Sequence, residues 1–334
     1  MSARRLLVTG GAGFVGSALV RRLLADEPGT EVVVLDALTY AGDRARLAEV
    51  ADDPRLRFVH GDVGDEAVVA DALDGCEAVL HLAAESHVDR SLEDGRAFLR
   101  TNVLGTGVVL DVARRAGLGR VVHVSTDEVY GPVAPDRAAR EDAAMAPTSP
   151  YAASKAGGDL LALAAARQGQ DVVVLRPANT LGPWQHPEKL VPLFTTRLLA
   201  GHDVPVYGDG RARRDWLHVE DHVAAIRTVL AEGRSGRAYN VAGVGHRTVL
   251  EVAAALGEEL GINPVPLRHV QDRPGHDPAY VVDDARLRAL GWRPRWRFAE
   301  ALADAAAWFR ANEGWWGPLV EAGATERRGL PRGS

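Results

Sequence analysis

The sequence LLVTGGAGFVGSALVRRLL, at residues 6–24, predicts a strand, a tight glycine-rich turn and a helix in direct succession. The glycines allow the backbone to approach a pyrophosphate closely, and the free N–H groups at a helix start favour such an anion. A second predicted strand, 31–35, ends in Asp36, about 20 residues past the turn, where a carboxylate binds ribose hydroxyl groups and repels a 2′-phosphate. A plain structural turn is the alternative for the glycines. The whole unit favours a site for NAD over one for NADP.

The alternation of strand and helix continues beyond this unit. Short apolar runs predict strands and apolar periodicity predicts helices. The predicted strands are 57–60, 78–82, 121–124 and 172–175, and the predicted helices are 95–116 and 151–167. Strands joined by helices in this order predict an α/β fold with a doubly wound parallel (Rossmann) sheet.

The chain is long enough for this domain and a smaller lobe. We expect the NAD-binding domain to span 1–178, with 215–243 returning to it. A smaller C-terminal α/β lobe, which binds substrate, is expected over 179–214 and 244–324. The polar residues 325–334 are expected to form a flexible tail.

Composition excludes several classes of partner. The chain has 334 residues and a formal net charge of −6, with its arginines scattered among acidic residues. No basic stripe indicates nucleic acid, and no apolar segment resembles a signal peptide or a membrane span. Cys76 is the single cysteine, so no intrachain disulfide or cysteine zinc site can form. We therefore expect a cytoplasmic protein without a metal site.

Lysine is almost absent from the chain. Of 39 lysines and arginines only Lys155 and Lys189 are lysines, so arginine supplies positive charge nearly everywhere. Arginine cannot replace lysine as a compact, titratable ammonium group held close to a phenol or a phosphate. The two lysines are therefore candidate functional residues.

The segment STDEVYG, at 125–131, directly follows a predicted buried strand. Ligands bind at the carboxyl ends of the strands in such sheets, so polar groups at this position are placed for chemistry. Asp127 and Glu128 are adjacent here. A solvated surface pair is the alternative interpretation.

Tyr151 and Lys155 lie four residues apart in SPYAASK, at 149–155. In a helix this spacing places both side chains on one face. A lysine ammonium beside a phenol favours the phenolate, so the pair is expected to supply a base near neutral pH.

Eight segments together carry a family resemblance. They are TGGAGFVGS, LDALTYAG, HLAAESHVDRS, STDEVYG, SPYAASKAGGD, GPWQHPEKLVP, YGDGRARRDWLHVEDH and DRPGHD. Over nearly its whole length the chain resembles the extended short-chain dehydrogenases/reductases (the NAD-dependent epimerase/dehydratase family), and specifically those that dehydrate dTDP-glucose. The Thr-Asp-Glu triplet at 126–128 is the specific signal, because related epimerases and decarboxylases mostly carry small hydroxyl residues there.

The resemblance implies a lyase that converts dTDP-glucose to dTDP-4-keto-6-deoxyglucose with a tightly held NAD. Tyr151 takes the 4-hydroxyl proton during C4 oxidation, with Thr126 hydrogen-bonded to the same hydroxyl and Lys155 lowering the phenol pKa. Glu128 then removes the C5 proton while Asp127, kept protonated, donates to the departing 6-hydroxyl, and hydride returns to C6. Two carboxyl groups in one site take up protons at different pH values, so one can act as the acid while the other acts as the base.

The resemblance also assigns the remaining site residues. The expected cofactor-binding residues are Gly10, Gly13, Phe14, Val15, Gly16, Asp36, Leu38, Thr39, Gly42, Asp62, Val63, Leu82, Ala83, Ala84, Ser86, Thr101, Ser125, Tyr151, Lys155 and Thr180. The expected substrate-binding residues are Ser86, His87, Thr126, Asp127, Glu128, Asn179, Lys189, Leu190, Pro205, Tyr207, Arg214, Arg273 and His276. A homodimer is implied, in which helices 95–116 and 151–167 of each subunit form a four-helix bundle.

The chain departs from the family pattern at five positions: Thr180, Gly245, His246, Pro278 and Ala279. These changes lie on the nucleotide side and leave the catalytic set intact. Thymidine is the leading choice of nucleotide, with UDP and CDP as alternatives. Two other functions remain open, a sugar-nucleotide 4-epimerase or decarboxylase and a non-catalytic NAD-binding protein. An epimerase or decarboxylase has no need of the acid and base pair, Asp127 and Glu128. A non-catalytic NAD-binding protein has no need of Tyr151 and Lys155 together.

Overall fold

Seven parallel strands form the central sheet in the computed structural model, which describes residues 4–133 and 137–323. In spatial order they are β3 (Leu56–His60), β2 (Thr30–Asp36), β1 (Arg4–Thr9), β4 (Ala78–His81), β5 (Arg120–Val124), β6 (Val172–Pro177) and β10 (Ala238–Val241). The strand order reverses between β1 and β4, so the carboxyl ends of these two strands border a crevice. The predicted doubly wound sheet is confirmed.

Helices cover both faces of this sheet. Helices α1 (Phe14–Asp26) and α8 (Val219–Glu232) pack on one face, and α2 (Glu66–Leu73), α5 (Thr106–Arg115) and α6 (Pro150–Arg167) pack on the other. Successive strand residues point to opposite faces. In β1, Leu6 and Val8 therefore lie in the core with α1 and α8, and Leu7 lies in the core with α2 and α5.

The predicted helix over 95–116 has a different internal geometry. It consists of α4 (Gly95–Phe98), a π-helix (Leu99–Gly105) and α5, and the short helix α3 (Val88–Glu93) precedes it. Asn102 in the π-helix accepts a hydrogen bond from Glu85 N at 2.9 Å and donates to Ser154 Oγ at 2.8 Å. These bonds join the π-helix to the crevice loop and to α6, and π-helical turns occur frequently at functional sites.

A second group of elements lies at the carboxyl end of the sheet. Its strands are β7 (Asn179–Leu181), β8 (Val204–Tyr207), β9 (Arg213–His218), β11 (His246–Thr248) and β12 (Leu267–Val270), which pair in the orders β11-β9-β7 and β12-β8. Its helices are α7 (Leu190–Leu199), α9 (Val249–Leu260), α11 (Phe298–Ala311) and α12 (Glu313–Glu321), whereas α10 (Ala285–Arg288) packs beside β10 of the central sheet. Helices α7, α9 and α11 share one apolar core with β8. Short 3-10 helices occupy Arg44–Val50 and Asp127–Tyr130.

The predicted domain boundaries remain predictions, although β10 does lie in the central sheet, as expected for the returning segment 215–243. The predicted tail, 325–334, lies outside the described residues. Among the residues that the structure describes, none of the helices has the length and apolar character required to cross a bilayer.

Candidate active site

A first cavity opens at the carboxyl ends of the central strands, over the turn that joins β1 to α1. All of the predicted cofactor residues except Leu38 and Thr180 line it. It is also lined by residues that the sequence did not indicate for the cofactor: Leu35, Ala37, Ala41, Arg46, Gly61, Glu85, Val124, Gln185, His186, Glu188, Lys189 and His222. The predicted glycine turn, Asp36, Tyr151 and Lys155 are thus gathered around one space.

The glycine turn forms a cradle whose backbone is packed too closely for side chains at two of its positions. Gly10 has φ +69°, and a Cβ there would lie 2.7 Å from Ala83 N. A Cβ on Gly16 would lie 2.1 Å from Gly10 O. Gly13 precedes α1 and gives the helix no side-chain cap, so the first N–H groups have no side-chain acceptor. These features fit the pyrophosphate of a dinucleotide.

Asp36 is held firmly at the edge of the same cavity. Its Oδ2 accepts a hydrogen bond from Ala12 N at 2.9 Å, and its Oδ1 accepts one from Leu38 N at 2.8 Å. Burial raises the pKa of this carboxyl, and the two backbone donors oppose the change. Leu38, a predicted cofactor residue, does not line the cavity, and its backbone N–H holds Asp36 in place. The fixed carboxylate fits an adenosine ribose without a 2′-phosphate.

Arg46 is a cavity residue that no motif indicated. Its side chain is only 2% exposed and donates to Ala12 O at 3.1 Å, Ala41 O at 2.7 Å and Trp184 O at 3.0 Å. Burial lowers its pKa to about 10. The guanidinium also lies 5.0 Å from the ring centre of Trp315 in α12. Arg46 therefore joins the glycine turn, the loop after β2 and the C-terminal helix around one wall of the cavity.

The predicted catalytic residues meet at the end of β5. Thr126 caps the 3-10 helix Asp127–Tyr130, accepting from Glu128 N at 3.3 Å and donating to Asp127 Oδ1 at 3.2 Å. Tyr151 and Ser125 line the first cavity, whereas Glu128 lines the second. Thr126 and Asp127 are buried and line neither cavity, so their predicted substrate contacts remain predictions.

Asp127 and Glu128 differ in their electrostatic surroundings. Burial raises the pKa of Asp127 well above its usual range, and the neighbouring Glu128 charge raises it further. Burial also raises the pKa of Glu128, but nearby Arg214, Arg273 and Lys189 oppose that change. The pKa of Asp127 is therefore raised more strongly than that of Glu128, which is the order that the predicted division into acid and base requires.

Tyr151 and Lys155 lie on α6 as predicted, but the expected effect of the lysine on the phenol is not the dominant one. Burial raises the pKa of Tyr151 above its usual value, and the Glu128 charge raises it further. Lys155 Nζ donates to Val124 O at 2.6 Å, and burial lowers the pKa of this amine to about 8. Spacing along the helix predicted the shared face, but it could not predict the desolvation of both groups or the carbonyl that the amine contacts.

The second cavity adjoins the first and contains the predicted substrate residues other than Thr126 and Asp127. It is lined by Ser86, His87, Val88, Asp89, Glu128, Asn179, Glu188, Lys189, Leu190, Pro205, Tyr207, Ala212, Arg214, Trp216, Val249, Arg273 and His276. Lys189, Arg214 and Arg273 supply positive charge, which suits a diphosphate. Asn179 Oδ1 is buried and has no hydrogen-bond partner among the described residues, so this acceptor is available to a polar ligand.

Three residues, Ser86, Glu188 and Lys189, line both cavities and form the wall between them. Lys189 Nζ donates to Ser86 O at 2.5 Å. The buried Glu188 carboxylate accepts from Tyr40 at 3.0 Å and from Arg90 at 3.1 Å. Glu188 was not a predicted site residue. Its position next to Lys189 in the segment HPEK was the sequence feature that could have indicated it.

Three of the positions that depart from the family pattern make defined contacts in the structure. Gly245 has φ +124°, a conformation that favours glycine, and its N–H donates to Asp215 at 2.9 Å. Pro278 O accepts a hydrogen bond from Arg213 N at 2.8 Å. Thr180 hydrogen-bonds to His222 Nδ1 at 3.0 Å, and His222 is the residue that lines the first cavity. Thr180 does not line the first cavity itself, so its predicted direct contact with the cofactor remains a prediction.

Comparison with known proteins agrees with this geometry. The sequence model of the NAD dependent epimerase/dehydratase family matches residues 6–242. A dTDP-glucose 4,6-dehydratase of Streptomyces niveus is 50% identical over 321 residues, covering 94% of this chain and 95% of that protein. The dTDP-glucose 4,6-dehydratase DesIV of Streptomyces venezuelae, solved with NAD bound, has a TM-score of 0.92 and 52% identity, covering 94% of this chain and 99% of that chain. A UDP-glucose 4-epimerase of Thermus thermophilus, in complex with NAD, has a TM-score of 0.85 and 34% identity, covering 92% and 99% respectively.

Proposed function

We propose that this chain, which belongs to the NAD-dependent epimerase/dehydratase family, is a hydro-lyase that converts dTDP-glucose to dTDP-4-keto-6-deoxyglucose. The observation that carries the proposal is the acid and base pair at the end of β5. Asp127 and Glu128 are buried together, burial raises the pKa of both carboxyl groups, and nearby cations oppose the rise at Glu128, which lines the cavity that holds the predicted substrate residues. An epimerase of the same fold has no step that requires such a pair.

NAD fits the first cavity through the glycine cradle, Asp36, Tyr151 and Lys155. When bound, it supplies a hydride acceptor for C4 and a hydride donor for C6, together with the positive charge of its oxidised ring. Lys155 lies on the same helix face as Tyr151, where its amine is suited to hold a ribose hydroxyl.

The side chains of the protein move the protons. Tyr151, in the phenolate form that Lys155 and the positive ring of a bound NAD would favour, takes the proton of the 4-hydroxyl while a hydride leaves C4, so that C4 becomes a ketone and the C5 hydrogen becomes acidic. Glu128 removes the C5 proton, and Asp127 donates a proton to the 6-hydroxyl, which leaves as water. Glu128 returns a proton to C5 when C6 is reduced. Over the cycle Tyr151 gains one proton and Asp127 loses one, so the starting state is restored when Tyr151 releases its proton and Asp127 takes one up before the next turnover.

The reaction is tested by mass spectrometry of the purified protein incubated separately with dTDP-glucose and UDP-glucose. We expect a loss of one water from the thymidine sugar without accumulation of NADH, because the cofactor is oxidised again within each turnover. Water loss from UDP-glucose at an equal rate would contradict the nucleotide assignment. Unchanged mass of both sugars with NAD bound would contradict the reaction and favour the 4-epimerase.

We also propose a homodimer that forms through a four-helix bundle. Four of the five large apolar side chains that are exposed in the described residues lie on the two helical segments 95–115 and 150–167. They are Leu99 (54% exposed), Leu104 (64%), Leu160 (58%) and Leu161 (39%). The two segments pack closely, since a Cβ on Gly157 would lie 3.0 Å from Val103. Exposed leucines on an adjacent pair of helices are suited to burial against the same pair of a second copy.

Replacing Leu104 and Leu160 together by serine is expected to convert the dimer to a monomer, because each change removes apolar surface from the proposed interface. Light scattering coupled to size exclusion measures the mass. Leu267→Ser is the matched control, because Leu267 is also exposed (41%) but lies on β12, away from the two helical segments. A monomeric wild-type protein, or a double variant that stays dimeric, would contradict the proposed bundle.

We further propose that the enzyme works in the cytoplasm, where NAD and nucleotide sugars are available. Its single cysteine, Cys76, is consistent with a reducing compartment.

A further inference from the structure

Tyr280 is a buried residue beside the catalytic base that no sequence motif indicated. It follows DRPGHD, the segment that carries Arg273 and His276 into the second cavity. The segment is fixed against neighbouring strands, since Pro278 O accepts from Arg213 N and Ala139 bridges Val282. The Tyr280 ring is only 4% exposed, and its centre lies 4.6 Å from the guanidinium carbon of Arg214. The ring therefore has a defined position.

The phenol hydroxyl of Tyr280 lies between two carboxyl groups. It donates to Asp277 Oδ2 at 2.6 Å, and its oxygen lies 3.4 Å from Glu128 Oε2. Asp277 Oδ2 also accepts a hydrogen bond from the hydroxyl of Thr148. A phenol has one hydrogen, and the much shorter contact shows that it is directed to Asp277. The lone pairs of the phenol oxygen are thus left on the side of Glu128.

A phenol oxygen in this orientation favours one protonation state of Glu128. It can accept a hydrogen bond from the carboxylic acid, but it has no hydrogen to offer the carboxylate. Glu128 becomes a carboxylic acid at the moment when it takes the C5 proton. The phenol therefore stabilises the product of that proton transfer, and Asp277 keeps the phenol hydrogen turned away.

We propose that Tyr280 is a positioning residue that orients Glu128 and accepts a hydrogen bond from its protonated form during removal of the C5 proton. This proposal rests on the proposed function. It assigns Asp277 the role of fixing the direction of the phenol hydrogen, so that Asp277 acts on Glu128 through Tyr280.

The other charged groups around Glu128 affect its strength as a base, and the hydrogen bond to the Tyr280 oxygen acts against part of their effect. Those that favour its ionised form are Arg214, Arg273 and Lys189, and those that disfavour it are Asp127 and Asp277, with the Tyr151 phenol also close. The three cations suit a diphosphate, but they also weaken Glu128 as a base. The Tyr280 oxygen opposes this effect at the carboxyl itself.

Tyr280→Phe tests the proposal, because it keeps the ring against Arg214 and removes only the hydroxyl. We expect kcat to fall about threefold to tenfold with KM nearly unchanged, the size expected for one lost hydrogen bond. Incorporation of solvent deuterium at C5 should slow by the same factor. The acid limb of the kcat profile should move to lower pH, because loss of the acceptor destabilises protonated Glu128 and so lowers its pKa.

A second readout needs no substrate. In protein labelled with ¹³C at the glutamate side-chain carboxyl, the NMR signal that is missing from Glu128→Gln identifies Glu128, and its titration midpoint should fall in Tyr280→Phe. A midpoint that is unchanged or higher would overturn the role of Tyr280, whether or not the wild-type protein dehydrates dTDP-glucose. Absence of water loss in the wild type would instead count against the proposed function alone.

Two comparisons separate this role from a general effect on folding. Tyr239→Phe is the matched control, because Tyr239 is also buried but its hydroxyl accepts from Arg234 N and lines neither cavity. It should leave kcat and the pH profile unchanged. In an Asp277→Asn background, Tyr280→Phe should have a smaller effect, because the phenol hydrogen is no longer directed away from Glu128. A rise in KM alone, with unchanged deuterium exchange, would show that Tyr280 only shapes the substrate cavity.

Discussion

Replacing Glu128 by glutamine is expected to lower kcat for dTDP-glucose by about 10²- to 10⁴-fold, the usual contribution of a general base. The amide has nearly the same shape and remains buried beside Arg214, but it cannot accept the C5 proton. Oxidation at C4 does not require Glu128. A single turnover should therefore accumulate NADH and the 4-keto hexose, which absorbance and mass spectrometry detect.

Asp127→Asn should lower kcat by a similar factor, because the 6-hydroxyl then departs without a proton donor. Exchange of the C5 hydrogen with solvent deuterium should be retained, because Glu128 is intact. Glu141→Gln is a suitable control, because Glu141 is also partly buried and hydrogen-bonded, to Asn240 N at 3.1 Å, but lines neither cavity. Full activity of Glu128→Gln, or loss of NADH formation along with dehydration, would contradict the assigned role of the carboxylate.

Replacing Asp159 by alanine is expected to lower the free energy of unfolding by about 3–5 kcal/mol. Asp159 and Arg176 are fully buried and form two hydrogen bonds, from Nε at 2.8 Å and from Nη2 at 3.0 Å. Without the carboxylate, the guanidinium of Arg176 stays in the core as an uncompensated charge. Denaturant unfolding followed by circular dichroism measures the change.

Asp111→Ala is the matched control for that experiment, because Asp111 pairs with Arg114 on an exposed surface of α5. It should change the unfolding free energy very little, since water solvates both partners after the substitution. An equal effect of the two substitutions would show that burial of the Asp159 pair does not determine its contribution. The Asp159 charge also raises the pKa of Lys155, so the core substitution should weaken that amine as a base.

Local patterns predicted the parts of the fold that depend on residues close together in sequence. The strand, turn and helix at 6–24 follow from apolar periodicity and three glycines, and the position of Asp36 follows from the length of the unit. The π-helix Leu99–Gly105 could not be predicted in this way. Its geometry is fixed by contacts of Asn102 with Glu85 and Ser154, residues that are distant in sequence.

The predicted site residues lie in local motifs, whereas the site residues that the sequence did not indicate are positioned by contacts distant in sequence. Glu128 and Tyr151 lie in segments whose spacing suggests chemistry. Arg46, Glu188 and Tyr280 acquire their positions through long-range contacts: Arg46 with Trp184, Glu188 with Tyr40, and Tyr280 with Glu128 itself. The spacing of residues in the sequence also could not predict pKa shifts. The pKa of Tyr151, for example, depends mainly on how completely the fold excludes water from its hydroxyl.

The two lysines of the chain both line the cavities, and this has a consequence for chemical labelling. Reagents that acylate amines normally react with many surface lysines, but this protein offers no lysine outside its active site. Lys155 is only 4% exposed, so the half-buried Lys189 becomes the main side-chain target. Apart from the α-amino group of the chain, an amine-directed dye or crosslinker thus reacts here in the active site, and the enzyme is better attached to surfaces through its carboxylates.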